Sequence, residues 1–269
     1  MFCPEVVLVL ALAGSAIGFL SGLLGMGGGS LMIPVLILVF SGLALGPDLS
    51  VKMAFGTNLL VGTVTALTGF LVHRRYQSRV WPLVLPLAGG SVAGALAGST
   101  AASHLPGGVL KTLFGCTVGL VGVHLLVRRE PQATAVRSLS LPLLLVLGLC
   151  IGCAASLVGL GGAVFTTVIL VGVLHYPMAS AVGVSTFVQT SGALSATIGY
   201  MLNGLGRPGL PPYSIGYVNV LAATVMMAPG IPLARVGARL AHRLRSALLE
   251  RIFAVVLIAI AIAMVWGGP

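Results

Sequence analysis

Two glycine-rich stretches are the parts of this chain whose residue types and spacing could do chemistry. Residues 22–30 read Gly-Leu-Leu-Gly-Met-Gly-Gly-Gly-Ser, and residues 156–163 read Ser-Leu-Val-Gly-Leu-Gly-Gly-Ala. Glycine allows turns that other residues resist and brings bare N–H groups close to a ligand. A helix that starts after such a turn presents unpaired N–H groups and a partial positive charge, which favour an anion. The residues predicted to contact the anion in these stretches are Gly27, Gly28, Gly29, Ser30, Gly161 and Gly162.

Close helix packing is the alternative explanation of these glycines, because small residues let membrane helices approach each other. A run of three glycines exceeds what packing needs, and a similar stretch recurs beside a short apolar segment in each half of the chain. Both facts favour a ligand site. A nucleotide-binding loop is excluded, since no strand precedes either stretch, and neither a P-loop lysine nor a downstream ribose-binding acid follows.

Polar side chains on neighbouring apolar segments are candidates to complete the site. Hydroxyls and amides can bind an oxyanion without a fixed charge. A hydroxyl in a membrane helix often bonds only to a carbonyl of its own helix, whereas a buried amide is costly without a partner. The predicted residues are Thr57 and Asn58 in the first half, and Ser185, Thr186, Gln189 and Thr190 in the second.

Acidic side chains stand only at segment ends, at Glu5, Asp48, Glu130 and Glu250. A proton relay or cation site usually places a carboxylate inside the helix bundle, so a metal-cation transporter is disfavoured. The chain has no clustered Ser/His/Asp set, no close carboxylate pair and no metal-ligand spacing. We therefore predict that the protein is not an enzyme and holds no metal or cofactor.

Cys150 and Cys153 share one face of an apolar segment as residues i and i+3. A thiol pair, a soft-metal site or a membrane-embedded thiol enzyme would be the functional interpretations. Packing of small buried residues is the better explanation, because no other Cys or His lies close in sequence and no thioredoxin-like strand precedes the pair.

The composition places these segments in a membrane. The 269 residues include only 14 Lys or Arg and 4 Asp or Glu, or 7% charged residues, where soluble domains carry roughly 25%. Hydrophobic residues make up 58%, and the mean hydropathy is +1.13. A soluble globular domain, a disordered chain and a coiled coil are excluded. A β-barrel is disfavoured because the apolar runs are continuous. The net charge of +10 is attributed to membrane topology rather than to nucleic-acid binding.

Ten apolar segments are separated by charged or turn residues, which predicts an all-α polytopic membrane protein. Eight are long enough to span the bilayer. The segments 30–44 and 163–174 reach only about 18–22 Å as helices, less than the hydrocarbon core of about 30 Å. The ten segments are 6–24, 30–44, 53–72, 82–102, 109–127, 139–158, 163–174, 178–202, 214–234 and 247–266.

The two halves of the chain resemble each other, which predicts an internal duplication. We expect a first transmembrane repeat at 1–129, a cytoplasmic linker at 130–138 and a second repeat at 139–269. An offset of 134 residues pairs Gly14 with Gly148, Gly18 with Gly152, Gly25 with Gly159, Gly27 with Gly161 and Gly28 with Gly162. An offset of 139 pairs Ala95 with Ala234, Gly98 with Gly237, Ala102 with Ala241 and Phe114 with Phe253.

The basic residues predict that the second repeat is inverted. If all ten segments cross, 11 of the 14 Lys and Arg lie on one side, and only Lys52, Lys111 and Arg207 lie on the other. If neither short segment crosses, the division is 7 to 7. The positive-inside rule favours the first arrangement. Five crossings per half then invert the second half. We predict that the protein lies in the inner (plasma) membrane of the cell, with both termini outside the cytoplasm.

The residues at the two breaks resemble the TauE/SafE family of membrane transporters. The second break departs from the family pattern, with Ala163 at the third glycine and Val168 at a usual proline, and Asn58 stands where the family tends to have Ser. The resemblance implies export or permeation of small sulfur oxyanions or organosulfonates, such as sulfite or sulfoacetate. The resembling stretches are 18–29, Pro34, 54–58, 159–162, 183–186, 237–241 and Phe253.

Three functional hypotheses follow. The first is a secondary transporter that exports a small anion. It alternates access around Gly27–Ser30 and Gly161–Gly162, where the two breaks are predicted to meet near the midplane. The second is a passive anion channel with the same fold. The third is a non-transporting membrane scaffold or accessory protein. The predicted partners are the small anion and the lipid bilayer, with a homo-oligomer as an open alternative to a monomer and no nucleic acid.

Overall fold

Helices make up nearly all of the computed structural model, which confirms an all-α polytopic membrane protein. It describes residues 4–24, 29–73, 81–127, 139–174, 176, 178–241 and 246–266. The helices are α1 Pro4–Leu24, α2 Gly29–Gly42, α3 Pro47–His73, α4 Trp81–His104, α5 Gly107–Val127, α6 Leu141–Leu157, α7 Ala163–Val168, α8 Met178–Asn203, α9 Val220–Ala241 and α10 Ser246–Trp266. A π-helical turn, Ile169–Val173, continues α7.

Among the described residues, three helical stretches are long and apolar enough to cross a membrane: Trp81–His104, Gly107–Val127 and Val220–Gly237. Shorter apolar stretches lie in α1, α2, α6 and α10. Large apolar side chains such as Leu120 and Val146 face outward. An outward apolar surface is what lipid requires of a helix bundle, since the bilayer core offers no water to solvate polar groups.

The two short segments are helices that follow the glycine stretches, as the sequence predicts. Helix α2 has 14 residues, which corresponds to about 21 Å. Helix α7 has six residues, and the π-helical turn adds five. Both remain shorter than the hydrocarbon core of about 30 Å. Each helix by itself is therefore too short to extend across the whole hydrocarbon core, and α7 begins directly after the second glycine break.

A small β-hairpin replaces the first residues of the apolar segment predicted at 214–234. Strands β1 Ser214–Ile215 and β2 Val218–Asn219 pair antiparallel. Asn219 Oδ1 accepts a hydrogen bond of 2.8 Å from Ala222 N, as a helix N-cap does. This cap sets the start of α9 at Val220, six residues later than the hydropathy pattern indicated.

The most extensive helix contacts repeat in the two halves, with α1 packed along α9 and α6 packed along α4. In both pairs a glycine of the first helix lies directly against the backbone of the second. The glycines are related by the offset of 134 and their partners by the offset of 139. The four contacts are Gly14 on Met226, Gly18 on Gly230, Gly148 on Leu87 and Gly152 on Ser91. The division into two repeats stays a prediction, and these matched contacts support it.

Equivalent helices of the two halves run antiparallel. In α3 and α8, Gly56 lies beside Tyr200 and Gly62 lies beside Gln189, so that the numbering rises in one helix as it falls in the other. Helices α5 and α10 show the same relation, since Gly115 contacts Val265 and Gly122 contacts Ala254. An inverted second repeat requires this orientation. The inversion stays a prediction for which these directions give support.

We expect Gly18→Ala to lower the stability of the folded protein. A methyl group at Gly18 would overlap the backbone of Gly230, so α1 and α9 would have to separate. Overpacking of this kind typically costs about 1–3 kcal/mol. The measurement is the thermal unfolding midpoint in detergent. Gly108→Ala is the matched control, because nothing lies within 4 Å of an added methyl group there. Equal midpoints for the two variants would contradict the close α1–α9 approach.

Candidate functional site

The second break is a turn that only glycine accommodates without strain. Gly159, Gly161 and Gly162 have φ angles of 70°, 74° and 101°, in the left-handed region that other residues rarely adopt. The turn ends at Gly162, whose carbonyl accepts hydrogen bonds from Thr166 N at 3.0 Å and Thr166 Oγ1 at 2.9 Å. Three such glycines in four residues let the chain leave α6 and begin α7 within the protein.

Asn58 connects the beginning of α2 with the second break. Its side-chain Nδ2 donates a hydrogen bond of 2.7 Å to Gly159 O. A methyl group added at Gly29, the first residue of α2, would lie 2.9 Å from the same Nδ2. Asn58 is 3% exposed. One buried amide of α3 therefore lies between the first turn of α2 and the break in the other half, 101 residues away in sequence.

Gln189 holds the corresponding place on α8. A methyl group added at Gly161 would lie 3.4 Å from Gln189 Nε2, and one added at Gly62 of α3 would lie 3.6 Å from it. The amide is thus enclosed between the second break and α3, with the residue 9% exposed. Within the described part of the chain, its side chain forms no hydrogen bond. Its donors and acceptor are available to a bound molecule.

The hydroxyls of the three predicted threonines have hydrogen-bond partners in the protein. Thr186 Oγ1 donates to Gly183 O at 2.8 Å, and Thr190 Oγ1 donates to Thr186 O at 2.7 Å. Both bonds lie within α8, as expected for hydroxyls of membrane helices. Thr57 Oγ1 accepts a hydrogen bond of 3.0 Å from Asn219 N, so this hydroxyl ties the β-hairpin to α3.

The remaining predicted residues differ in how much the structure describes of them. Ser30 and Ser185 are buried, with 7% and 3% of their surface exposed. Gly29 and Ser30 form the first turn of α2. Gly27 and Gly28 lie outside the described residues. The structure therefore brings Gly29, Asn58, Gly161 and Gln189 to the contacts between α2, α3, α8 and the second break.

Two residues that lie at the site, Phe55 and Tyr200, were not among the predicted site residues. The ring of Phe55 lies under Gly159, where an added methyl group would come within 2.8 Å of Phe55 Cγ. Tyr200 is fully buried, and its hydroxyl donates to Ser156 O at 3.2 Å. Phe55 lies inside the 54–58 stretch and could have been chosen from it. Tyr200 carries no local signal, because only the packing of α8 against α6 brings it to the break.

The buried interior carries little charge. Within the described residues, Lys52 is the one buried charged side chain, and no group of three or more His, Cys, Asp or Glu could hold a metal ion. Lys52 Nζ donates a hydrogen bond of 2.8 Å to Ser103 O and lies 5.9 Å from the ring centroid of Tyr217. Without a buried carboxylate in the described residues, the interior does not repel an anion.

Known proteins similar to this chain carry the name probable membrane transporter protein. A probable membrane transporter protein of Haemophilus influenzae is 27% identical over 96% of this chain and 97% of its own length. Another of Xylella fastidiosa is 29% identical, with 94% and 93% covered. A third, from Methanocaldococcus jannaschii, is 26% identical over 88% and 86%. No solved structure shows significant similarity to the chain.

The family comparison gives the same result over nearly the whole chain. The sequence profile of the family described as "Sulfite exporter TauE/SafE" matches residues 10–264. This match and the names of the relatives indicate an integral membrane transporter and not an enzyme. The chain belongs to the TauE/SafE sulfite exporter family.

Proposed function

We propose that this protein is a secondary transporter that exports a small anion such as sulfite or an organosulfonate. The observation that carries the proposal is the position of Asn58, whose Nδ2 lies 2.7 Å from Gly159 O and against Gly29. Elements from both halves of the chain thus meet at one polar group inside the protein. Many secondary transporters place their substrate site where broken helices of inverted repeats meet.

The chemistry around this point supports an anionic substrate. Asn58 and Gln189 supply amide N–H donors, and the 14-residue helix α2 begins beside Asn58. A helix start offers further N–H groups and a partial positive charge. Gly27, Gly28, Ser30, Thr57, Gly162, Ser185, Thr186 and Thr190 remain proposed substrate contacts of the same site. Sulfite and organosulfonates enter the proposal through the family to which the chain belongs.

Alternating access gives the Asn58–Gly159 hydrogen bond a role. The bond joins α3 of the first half to the break of the second half. When the two halves move relative to each other, this contact opens on one side of the site and an anion can replace Gly159 O as the acceptor. Both termini are proposed to lie outside the cytoplasm, the orientation that the basic residues favour.

Flux measurements with purified protein in proteoliposomes test the proposal. Liposomes loaded separately with sulfite, sulfoacetate, sulfate and a carboxylate should show saturable efflux of sulfite or sulfoacetate only with the protein present. A proton or sodium gradient should drive that anion against its own concentration gradient. Flux that only ever runs downhill would instead identify a passive channel. Absence of flux for every anion, with correctly inserted protein, would leave the scaffold hypothesis.

A further inference from the structure

Two serines on α4 lie against glycines of α8, and they make a natural pair for comparison. Ser91 faces Gly192, where an added methyl group would lie 2.5 Å from Ser91 Oγ. Eight residues further along α4, Ser99 faces Gly199 in the same way. Both serines are buried, with 1% and 0% of their surface exposed. The two side chains therefore occupy equivalent crossings of the same two helices.

Their hydroxyls differ in hydrogen bonding. Ser99 Oγ donates to Leu96 O at 3.0 Å, within its own helix. Ser91 Oγ has no hydrogen-bond partner, and it is the one fully buried side-chain polar atom of the described residues in this condition. A buried hydroxyl without a partner destabilises the folded protein, because the group has lost its hydrogen bonds to water. Such a group in a helix, where back-bonding to the previous turn is usually available, points to a partner other than the protein.

Ser91 also lies next to the second break. A methyl group added at Gly192 would lie 2.5 Å from Ser91 Oγ and 3.9 Å from Gly161 O. Gly161 in turn lies against Gln189, three residues before Gly192 on α8 and so on the same helix face. Glycine at position 192 keeps the space between the Ser91 hydroxyl and the break free of a side chain.

We propose that Ser91 is a further substrate-contacting residue, whose hydroxyl donates a hydrogen bond to an oxygen of the anion bound at Gly161 and Gln189. This role rests on the proposed transport function. The offset of 139 pairs Ser91 with Gly230, which has no hydroxyl. The first half therefore contributes a hydroxyl donor that the second half lacks. This extra donor would fix which oxygen of the anion faces Ser91, and so the direction of the organic group in an organosulfonate.

Kinetics of two matched variants test this role. Ser91→Ala should raise the anion concentration for half-maximal flux about tenfold or more, since a hydrogen bond to a charged group is worth about 1.5–3 kcal/mol. Ser99→Ala, at the equivalent crossing, should stay within about twofold of the wild-type protein, because its hydroxyl only bonds its own helix. If the protein transports the anion and both variants have the same half-maximal anion concentration, the role of Ser91 is wrong and the proposed function still stands.

Labelling gives a readout that does not require flux. In a protein whose four native cysteines are replaced by Ala, Ser91→Cys should react with an anionic methanethiosulfonate reagent, and the transported anion should slow that reaction. Ser99→Cys should remain unlabelled. A Ser91→Cys protein that stays unlabelled, or that the anion does not protect, would overturn the role of Ser91. If the wild-type protein moves no anion, the proposed function fails and the role of Ser91 fails with it.

Discussion

Replacing Gly162 by leucine is expected to abolish anion flux while the protein still inserts into the membrane. Gly162 has a φ of 101°, so any side chain there strains the backbone by about 1–3 kcal/mol. A methyl group would find Ala155 and Ile151 at 3.7 Å, and the longer leucine side chain must push into the space around the break. Both effects displace the start of α7 from Gln189 and Asn58. Flux in proteoliposomes should fall at least about 100-fold.

Gly206→Leu is the matched control for this variant. Gly206 has a φ of 73° and nothing within 4 Å of an added methyl group, and it lies in the turn after α8. It shares the backbone strain of Gly162 without the position at the break. Insertion is checked by the amount of folded, monodisperse protein extracted from membranes. If Gly162→Leu shows wild-type flux, the second break is not part of the substrate site. If both variants lose flux equally, backbone strain alone explains the loss.

Asn58→Leu is expected to lower flux about 100-fold or more at a subsaturating anion concentration. Leucine has the same branched shape and number of side-chain heavy atoms as asparagine, but it cannot donate a hydrogen bond to Gly159 O or to an anion. The loss of a hydrogen bond to a charged group is worth about 1.5–3 kcal/mol, and the buried Gly159 carbonyl is left unpaired as well. Asn58→Ser should recover a large part of the flux, because serine retains a hydrogen-bond donor.

Asn203→Leu separates this effect from a general cost of removing an amide. Asn203 Nδ2 also donates to a glycine carbonyl, Gly199 O at 2.8 Å, but the bond lies at the end of α8, away from the break. The flux of Asn203→Leu should remain close to that of the wild-type protein. The thermal midpoint of each variant is measured in parallel. Comparable flux in Asn58→Leu and Asn203→Leu, at comparable amounts of folded protein, would contradict a substrate role for Asn58.

The membrane nature of the chain and its short helices could be predicted from sequence because both depend on local composition. The segment predicted at 30–44 agrees closely with α2, Gly29–Gly42, because a short apolar run after a glycine stretch indicates a short helix without reference to distant contacts. The start of α9 could not be predicted in this way. Residues 214–219 precede the apolar run of α9 without a charged residue between them. The hairpin forms because Asn219 caps α9 and its N–H bonds to Thr57, 162 residues away.

Which polar residues are free to bind an anion depends on contacts between distant helices. The sequence placed Thr57, Asn58, Thr186, Gln189 and Thr190 in one group, because all are polar residues in apolar segments. Packing divides the group, since the three threonines and Asn58 have protein partners, whereas the Gln189 side chain forms no hydrogen bond within the described residues.

Composition alone determined that this is a membrane protein, because a scarcity of charged residues suits lipid in any fold. The two glycine runs predicted the positions of the short helices, because glycine favours turns through its own backbone. The tertiary structure alone decided that Asn58 lies between Gly29 and Gly159, and that Ser91 faces the break without a partner. These positions result from glycine-mediated approaches of α3, α4 and α8 across about a hundred residues of sequence. A hydrogen bond depends on the distance between two atoms, and no local pattern of residues specifies that distance.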